Sequence, residues 1–349
     1  MKVIMYLICS IVVLAVCLAP VQAGVNGKCY ALALQGGGDK AAYQAGAIAE
    51  ILSQKGAEAQ YDVITGVGIG SINGAVLASY EKGQEQAAAD AILNLWNNLQ
   101  EKDVYKNWSW GGPVRGLLFK SSLYDSSPFR AFLKKNVKKP TRYFQVLATN
   151  AADGTAKIWD EKTDLETLIK AIDASAAYPG FFEPVDDIDG NTYYDGGTSF
   201  SINIGGAINK CKELGYAESD IVIDTLLCSA ATIKEKNTAD YTSIPMLIRY
   251  LEIRLYYDTM DLLERAKQGF RNVNFRYTIA PTQKLEPGLM PFSFNKSQIQ
   301  SMIKVGRQDA KEAIARGERV STDMILDYTE QKVAHKFRGD YADYLADHN

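Results

Sequence analysis

Histidine is nearly absent: the 349 residues include only His335 and His348, both in the charged C-terminal stretch. A Ser-His-Asp triad built on either is not expected, so any activated hydroxyl would need a carboxylate as its base directly. Cysteine is scarce too, and two of the five, Cys9 and Cys17, fall in an apolar N-terminal run. Cys29, Cys211 and Cys228 include no close pair of the kind that builds a zinc site. They allow one disulfide with a spare thiol, although Cys29 and Cys228 border strand-like runs where buried free cysteine is common. No linker composition and no repeat of fixed period interrupts the chain after residue 23, which predicts one domain over 24–349. A formal net charge of −3 gives no reason to expect a nucleic-acid partner.

The one long apolar run lies at the start, from Val3 to Leu18 after Lys2, and is followed by Pro20 and Val21-Gln22-Ala23. This pattern predicts a secretory signal peptide over 1–23 and a secreted or endomembrane-lumen protein. The run falls short of the ~20 apolar residues that a membrane-crossing helix needs. Asn107-Trp108-Ser109 and Asn295-Lys296-Ser297 fit the glycosylation acceptor pattern.

Beyond the leader, short apolar runs alternate with helical spacing. Strands are expected at 29–34, 61–65, 143–149, 156–159, 221–228 and 273–279, with helices at about 39–54, 72–80, 84–100, 162–173, 241–268 and 297–316. Alternation of this kind predicts an α/β fold, a three-layer, mainly parallel sheet flanked by helices, with its site at the carboxyl ends of the strands. In the 241–268 helix, Leu247, Leu251, Leu255 and Leu262 form one stripe, read as core packing rather than a membrane-touching face.

Three segments carry candidate chemistry. Gly36-Gly37-Gly38-Asp39-Lys40 follows the first strand and leaves backbone N–H groups unpaired at a helix start, an anion cradle suited to the oxyanion of an acyl-transfer intermediate. The segment lacks the Walker ending, and Ala41 stands in place of a dinucleotide fingerprint's third glycine. Gly66-Val67-Gly68-Ile69-Gly70 has the flanking glycines of a G-x-S-x-G nucleophile elbow, with Gly68 where the serine would be. Tyr193-Tyr194-Asp195-Gly196-Gly197 presents a carboxylate on a turn after a short strand. Ala174 to Val185 adds small residues followed by an aromatic, proline-rich loop.

In this order the four pieces resemble the patatin-like phospholipase family of lipid acyl hydrolases. The resemblance implies a Ser-Asp dyad for acyl-ester hydrolysis without metal or cofactor. Asp195 would be the general base, and Gly68 would occupy the nucleophile position. Gly36, Gly37, Gly38 and Lys40 would form the oxyanion loop, Gly66 and Gly70 the elbow, and Gly196 and Gly197 the Asp-Gly-Gly motif. The sequence departs from the family at Gly68, at Ala41, and at Ser201 and Asn203, where Asn and Pro are expected. Loss of the attacking hydroxyl costs on the order of 10⁶ in turnover. The expectation is therefore a catalytically impaired family member that keeps a cleft for a lipid or fatty acyl ester, with possible peripheral membrane contact. The alternatives are an active acyl hydrolase using an unconventional nucleophile such as Ser71, and a storage or structural protein without a ligand.

Overall fold

The computed structural model describes residues 24–285 and 294–331. The expected signal peptide, His335 and His348 lie outside the described residues. In chain order the elements are β1 (Cys29–Leu34), α1 (Ala41–Lys55), β2 (Val63–Val67), α2 (Gly70–Ala78), α3 (Glu85–Asn98), α4 (Gly112–Phe119), α5 (Ser127–Asn136), β3 (Tyr143–Asn150), β4 (Ala156–Asp160), α6 (Leu165–Ala176), β5 (Val185–Ile188), β6 (Asn191–Tyr194), α7 (Ile204–Glu213), β7 (Ile221–Leu226), α8 (Ser243–Gly269), β8 (Asn274–Ile279) and α9 (Lys296–Arg316). A last helix, α10, covers 320–331.

The sheet runs β5-β6-β3-β2-β1-β7-β8, with β4 also on β3. The links among β3, β2, β1, β7 and β8 are parallel, whereas β4, β5 and β6 join antiparallel. Strand β1 shows how six residues organise both faces. Tyr30, Leu32 and Leu34 enter the core that includes α1, α2, α3 and α9, while Cys29, Ala31 and Ala33 enter the core formed with α7 and α8. The period-2 alternation of a strand puts bulk on one face and small residues on the other. On the small-residue face Cys29 is disulfide-bonded to Cys211 of α7, with Cα atoms 5.9 Å apart, whereas Cys228 is a buried free thiol in the opposite core. Of the pairings that the sequence left open, this one ties a helix to the first strand across a separation of 182 residues.

Strand β2 starts two residues later than expected, although the Asp62 N–H still donates to Tyr30 O of β1 (2.7 Å), and the two preceding residues also make side-chain bonds to other strands. Tyr61 donates its hydroxyl to Asp224, and the Asp62 carboxylate accepts the Tyr30 N–H. The leucine stripe expected to form the core face of the 241–268 helix is not the buried one. Leu247 is 54% exposed and Leu251, Leu255 and Leu262 are half-buried, whereas among the described side chains of α8 the buried ones are Tyr256, Thr259, Met260, Leu263 and Ala266. The helix is longer than the sheet it covers: Thr259, sixteen residues from the helix start, already meets Gln35 just past the end of β1. At 1.5 Å per residue, roughly 24 Å of α8 runs beyond that level. Among the described residues no helix is long and apolar enough to cross a membrane.

Candidate active site

The connection from β1 through α1 leads to β2 on one side, while that from β7 through α8 leads to β8 on the other. Between the carboxyl ends of β1 and β7 this divergence opens a crevice, the usual ligand position in such sheets. The glycine loop sits there, and Gln35 anchors it. The Gln35 N–H donates to Leu226 O (3.0 Å), and its side-chain oxygen accepts the N–H groups of Cys228 (2.7 Å) and Ser229 (2.9 Å). Its side-chain nitrogen donates to Thr259 (2.5 Å). The Gly36 N–H is already engaged with Ser201 O (3.2 Å). The N–H groups of Gly37 and Gly38 have no acceptor among the described residues, so these two are the cradle's available donors. Lys40 ends the loop, half-buried, at the entry to α1. Cys228 packs directly on Gly37, but burial pushes its thiol well above the ordinary range, which makes it inert as a nucleophile.

At the end of β2 the chain turns sharply through Gly68, whose φ of +56° lies in the left-handed region. Strand and helix approach so closely there that a Cβ on Gly66 would lie 2.4 Å from Ser71 Cα, and one on Gly70 2.5 Å from Gln35 O. Only glycine fits either place. A Cβ on Gly68 would point at the glycine loop, 3.1 Å from Gly36 Cα. The elbow's apex therefore faces the cradle. Ser71 does not: it is fully buried, and its hydroxyl donates back to Gly68 O at 2.5 Å.

Strand β6 pairs antiparallel with only the last two residues of β3, Tyr194 beside Thr149, and this register leaves Asp195 close to the edge where β2 and β3 end. Its backbone is held by Ala177 O, which accepts its N–H (3.2 Å), and by the Thr149 hydroxyl, which donates to its carbonyl (2.9 Å). The carboxylate accepts the Gly197 N–H (3.1 Å) and the Thr198 hydroxyl (3.4 Å). Ser175, near the end of α6, joins this turn to the elbow. Its Oγ accepts the Gly68 N–H at 2.9 Å and would lie 3.0 Å from a Cβ on Gly196. Gly36, Gly68, Asp195 and Gly196 are thus gathered at one end of the sheet.

Burial pushes the Asp195 carboxyl up to about 7, with the hydrogen bonds from Gly197 and Thr198 only partly opposing it. Its proton is then held more tightly in the folded chain than in the unfolded one, where the ordinary value is 3.8. The resulting stabilisation is complete below the unfolded value and is lost as pH rises to about 7. Urea unfolding midpoints measured between about pH 4 and pH 8 should fall across this window, and Asp195→Asn should flatten part of the fall. A profile unchanged by the substitution would contradict the assignment.

Beside the elbow lies a cavity of only about 10 Å³, lined by Ile69, Ala177 and Phe182 among others. That is room for one water at most. Farther out, Tyr105, Lys106 and Tyr124 help line a groove of about 440 Å³. The Tyr105 ring stands 5.8 Å from that of Phe182 and so separates groove from cavity. Among the described residues no cluster of His, Cys, Asp and Glu could hold a metal ion.

The roles of Ser175 and Gln35 come from hydrogen bonds over long separations, such as the 107 residues between Gly68 and Ser175, which no local spacing signals. Thr198 stands only three residues past Asp195, one position beyond the Asp-Gly-Gly motif. Among solved structures the chain resembles VipD from Legionella pneumophila, with 13% identity and a TM-score of 0.46 over 83% of this chain and 67% of that one. No curated protein matches it. The profile of patatin-like phospholipase matches residues 32–208, a span that takes in the glycine loop, the elbow, the Ser175 segment and the Asp-Gly-Gly turn. The chain belongs to the patatin-like phospholipase family.

Proposed function

We propose that this protein binds lipid acyl esters or fatty acyl groups at the crevice between Gly37, Gly68 and Asp195, and that its hydrolytic power is lost because Gly68 stands where the family's attacking serine belongs. The observation that carries the reading is the elbow itself. Its apex residue faces the glycine loop and shares Ser175 with the Asp195 turn, yet it brings no hydroxyl. Free amides at Gly37 and Gly38 suit the partial negative charge of an ester carbonyl oxygen. Asp195 keeps the place of a general base with nothing to deprotonate.

An active hydrolase would need another attacking group. The inward bond of Ser71 argues against that residue. Thr198, exposed and 3.4 Å from the Asp195 carboxylate, is the hydroxyl that a functioning dyad would have to recruit. Secretion, or residence in an endomembrane lumen, belongs to the same proposal and is supported by the Cys29–Cys211 bond, since such bonds persist in oxidising compartments. Contact with a membrane surface is also part of it.

Mass spectrometry of organic extracts of the purified full chain should recover acyl lipid at near-equal molar amounts. Titration with a monomeric short-chain phospholipid, dihexanoylphosphatidylcholine, should saturate. A protein that extracts clean and fails to bind would leave the storage or structural reading standing.

A further inference from the structure

Helix α4 is built inside out. Its buried residue is Gly116, where a Cβ would lie 2.5 Å from both Ser122 O and Leu123 O, so the helix rests on the following chain through its glycine. Its large apolar side chains face outward: Val114 is 64% exposed, Leu117 72%, Leu118 64% and Phe119 78%, and Trp110 just before the helix is 89% exposed. An amphipathic helix of a water-facing domain does the reverse. Five large apolar groups within ten residues make a contiguous patch of the kind that marks a contact surface.

Charge and position identify the occupant. From 106 to 123 the chain carries Lys106, Arg115 and Lys120 and no acidic residue. The Lys120 ammonium sits 4.7 Å from the centre of the Trp108 ring. The segment is also fastened to the mouth of the crevice. Leu123 N–H donates to Gly180 O (2.9 Å) and Tyr124 N–H to Phe181 O (3.1 Å), in the loop that leaves α6 beside Ala177, the residue that accepts the Asp195 N–H. Lys106 is paired with Asp125 at 3.3 Å, which leaves Arg115 and Lys120 as the basic groups of the patch. With tryptophan, leucine and phenylalanine they suit the boundary between lipid headgroups and acyl chains, where basic residues near an anionic leaflet add attraction. Eight residues are far too few to span a bilayer, so the helix would lie in the surface plane.

We infer that residues 110–120 form a docking face for a lipid bilayer bearing anionic headgroups, which brings the membrane to the mouth of the crevice. The inference rests on the reading that the crevice takes lipid acyl esters: a protein seated on this face would cap the entrance, whereas a bilayer would supply the ligand. Arg115 and Lys120 provide the electrostatic approach, and Trp110, Leu117, Leu118 and Phe119 the insertion.

Full-length protein is mixed with vesicles of phosphatidylcholine alone or with phosphatidylserine added, and binding is followed by flotation and by tryptophan emission. Native protein should float with the serine-containing vesicles, shift its emission to the blue, and lose binding as salt is raised. Leu117→Asp with Phe119→Asp should weaken partitioning by at least about tenfold. Arg115→Glu with Lys120→Glu should abolish the preference for phosphatidylserine. Leu117, Phe119 and Lys120 are exposed, and Arg115 is half-buried with its guanidinium bonded, among the described residues, only to Ser109 O (2.8 Å), so both variants should keep the native circular dichroism and the native affinity for monomeric dihexanoylphosphatidylcholine. Equal vesicle binding by native and Leu117→Asp/Phe119→Asp protein would overturn the inference. So would native protein that ignores vesicles and forms a dimer which the same variant dissociates. Binding of monomeric phospholipid without vesicle binding sinks the docking face alone, whereas vesicle binding without any monomeric ligand sinks the crevice reading and leaves the docking face standing.

Discussion

Gly68→Ser turns the protein into an acyl-ester hydrolase, with turnover of a short-chain ester at least about 10³-fold above that of the native chain, against the ~10⁶ that a complete nucleophile is worth in such enzymes. The gain follows from the placement of the missing side chain. A Cβ at residue 68 points at the glycine loop, so a serine there would bring its Oγ beside the loop whose Gly37 and Gly38 amides have no acceptor among the described residues. Two costs oppose it. Residue 68 has φ of +56°, which for a residue with a side chain costs on the order of 1–2 kcal/mol. The 3.1 Å approach to Gly36 Cα also requires the glycine loop to yield slightly. Neither cost approaches the stability of a folded domain, so the variant folds. Its activity should rise with pH through about 7, the value to which burial pushes Asp195, because a base must be unprotonated to act. Gly68→Ser combined with Asp195→Asn should fall back to the native level. A folded Gly68→Ser protein that stays inert would show that cradle and base no longer meet at the elbow.

The second large effect concerns stability. Asp224 of β7 and Arg276 of β8 are buried, at 0% and 1% exposure, and bonded twice: Arg276 Nε to Asp224 Oδ1 at 3.0 Å, and Nη2 to Oδ2 at 2.6 Å. Tyr61 donates a further bond to the same carboxylate at 2.6 Å, and the guanidinium lies 5.2 Å from the ring centres of both Tyr30 and Tyr277. Asp224→Ala should cost ~3–5 kcal/mol in urea unfolding, because it strands a buried guanidinium rather than merely removing an attraction. Asp224→Leu with Arg276→Met should recover much of that loss, since neither charge then remains to be desolvated. A loss below about 1 kcal/mol for Asp224→Ala would mean that water reaches the pair. The pair couples β7 to β8, and the exit of β7 carries Cys228 and Ser229, whose amides fix Gln35 and thereby the glycine loop.

What the sequence makes legible is what short-range spacing encodes. The run CYALAL reads as a strand because it is short, wholly apolar and followed by glycines, and the structure buries both of its faces. The glycine loop and elbow are visible because no other residue fits Gly66 or Gly70. Three things are hidden. Helix α4, GPVRGLLF, gives no amphipathic signal that points inward, since its glycine is the buried residue. The stripe of Leu247, Leu251 and Leu255 is not the buried one, and nothing in the local spacing shows that Tyr256, Met260 and Leu263 face the sheet instead. The engagement of the Gly36 N–H with Ser201 depends on a residue 165 positions away, so the expected three-donor loop is narrowed to Gly37 and Gly38 by a contact that no motif reports.

Ester turnover by the unmodified protein, compared with Asp195→Asn, tests the central claim most directly. On the proposed reading, in which residue 68 lacks the attacking oxygen, both proteins should hydrolyse short- and long-chain acyl esters no faster than buffer. Native turnover clearly above buffer that disappears in Asp195→Asn would contradict the account, and its loss in Thr198→Ala as well would identify the hydroxyl that took over.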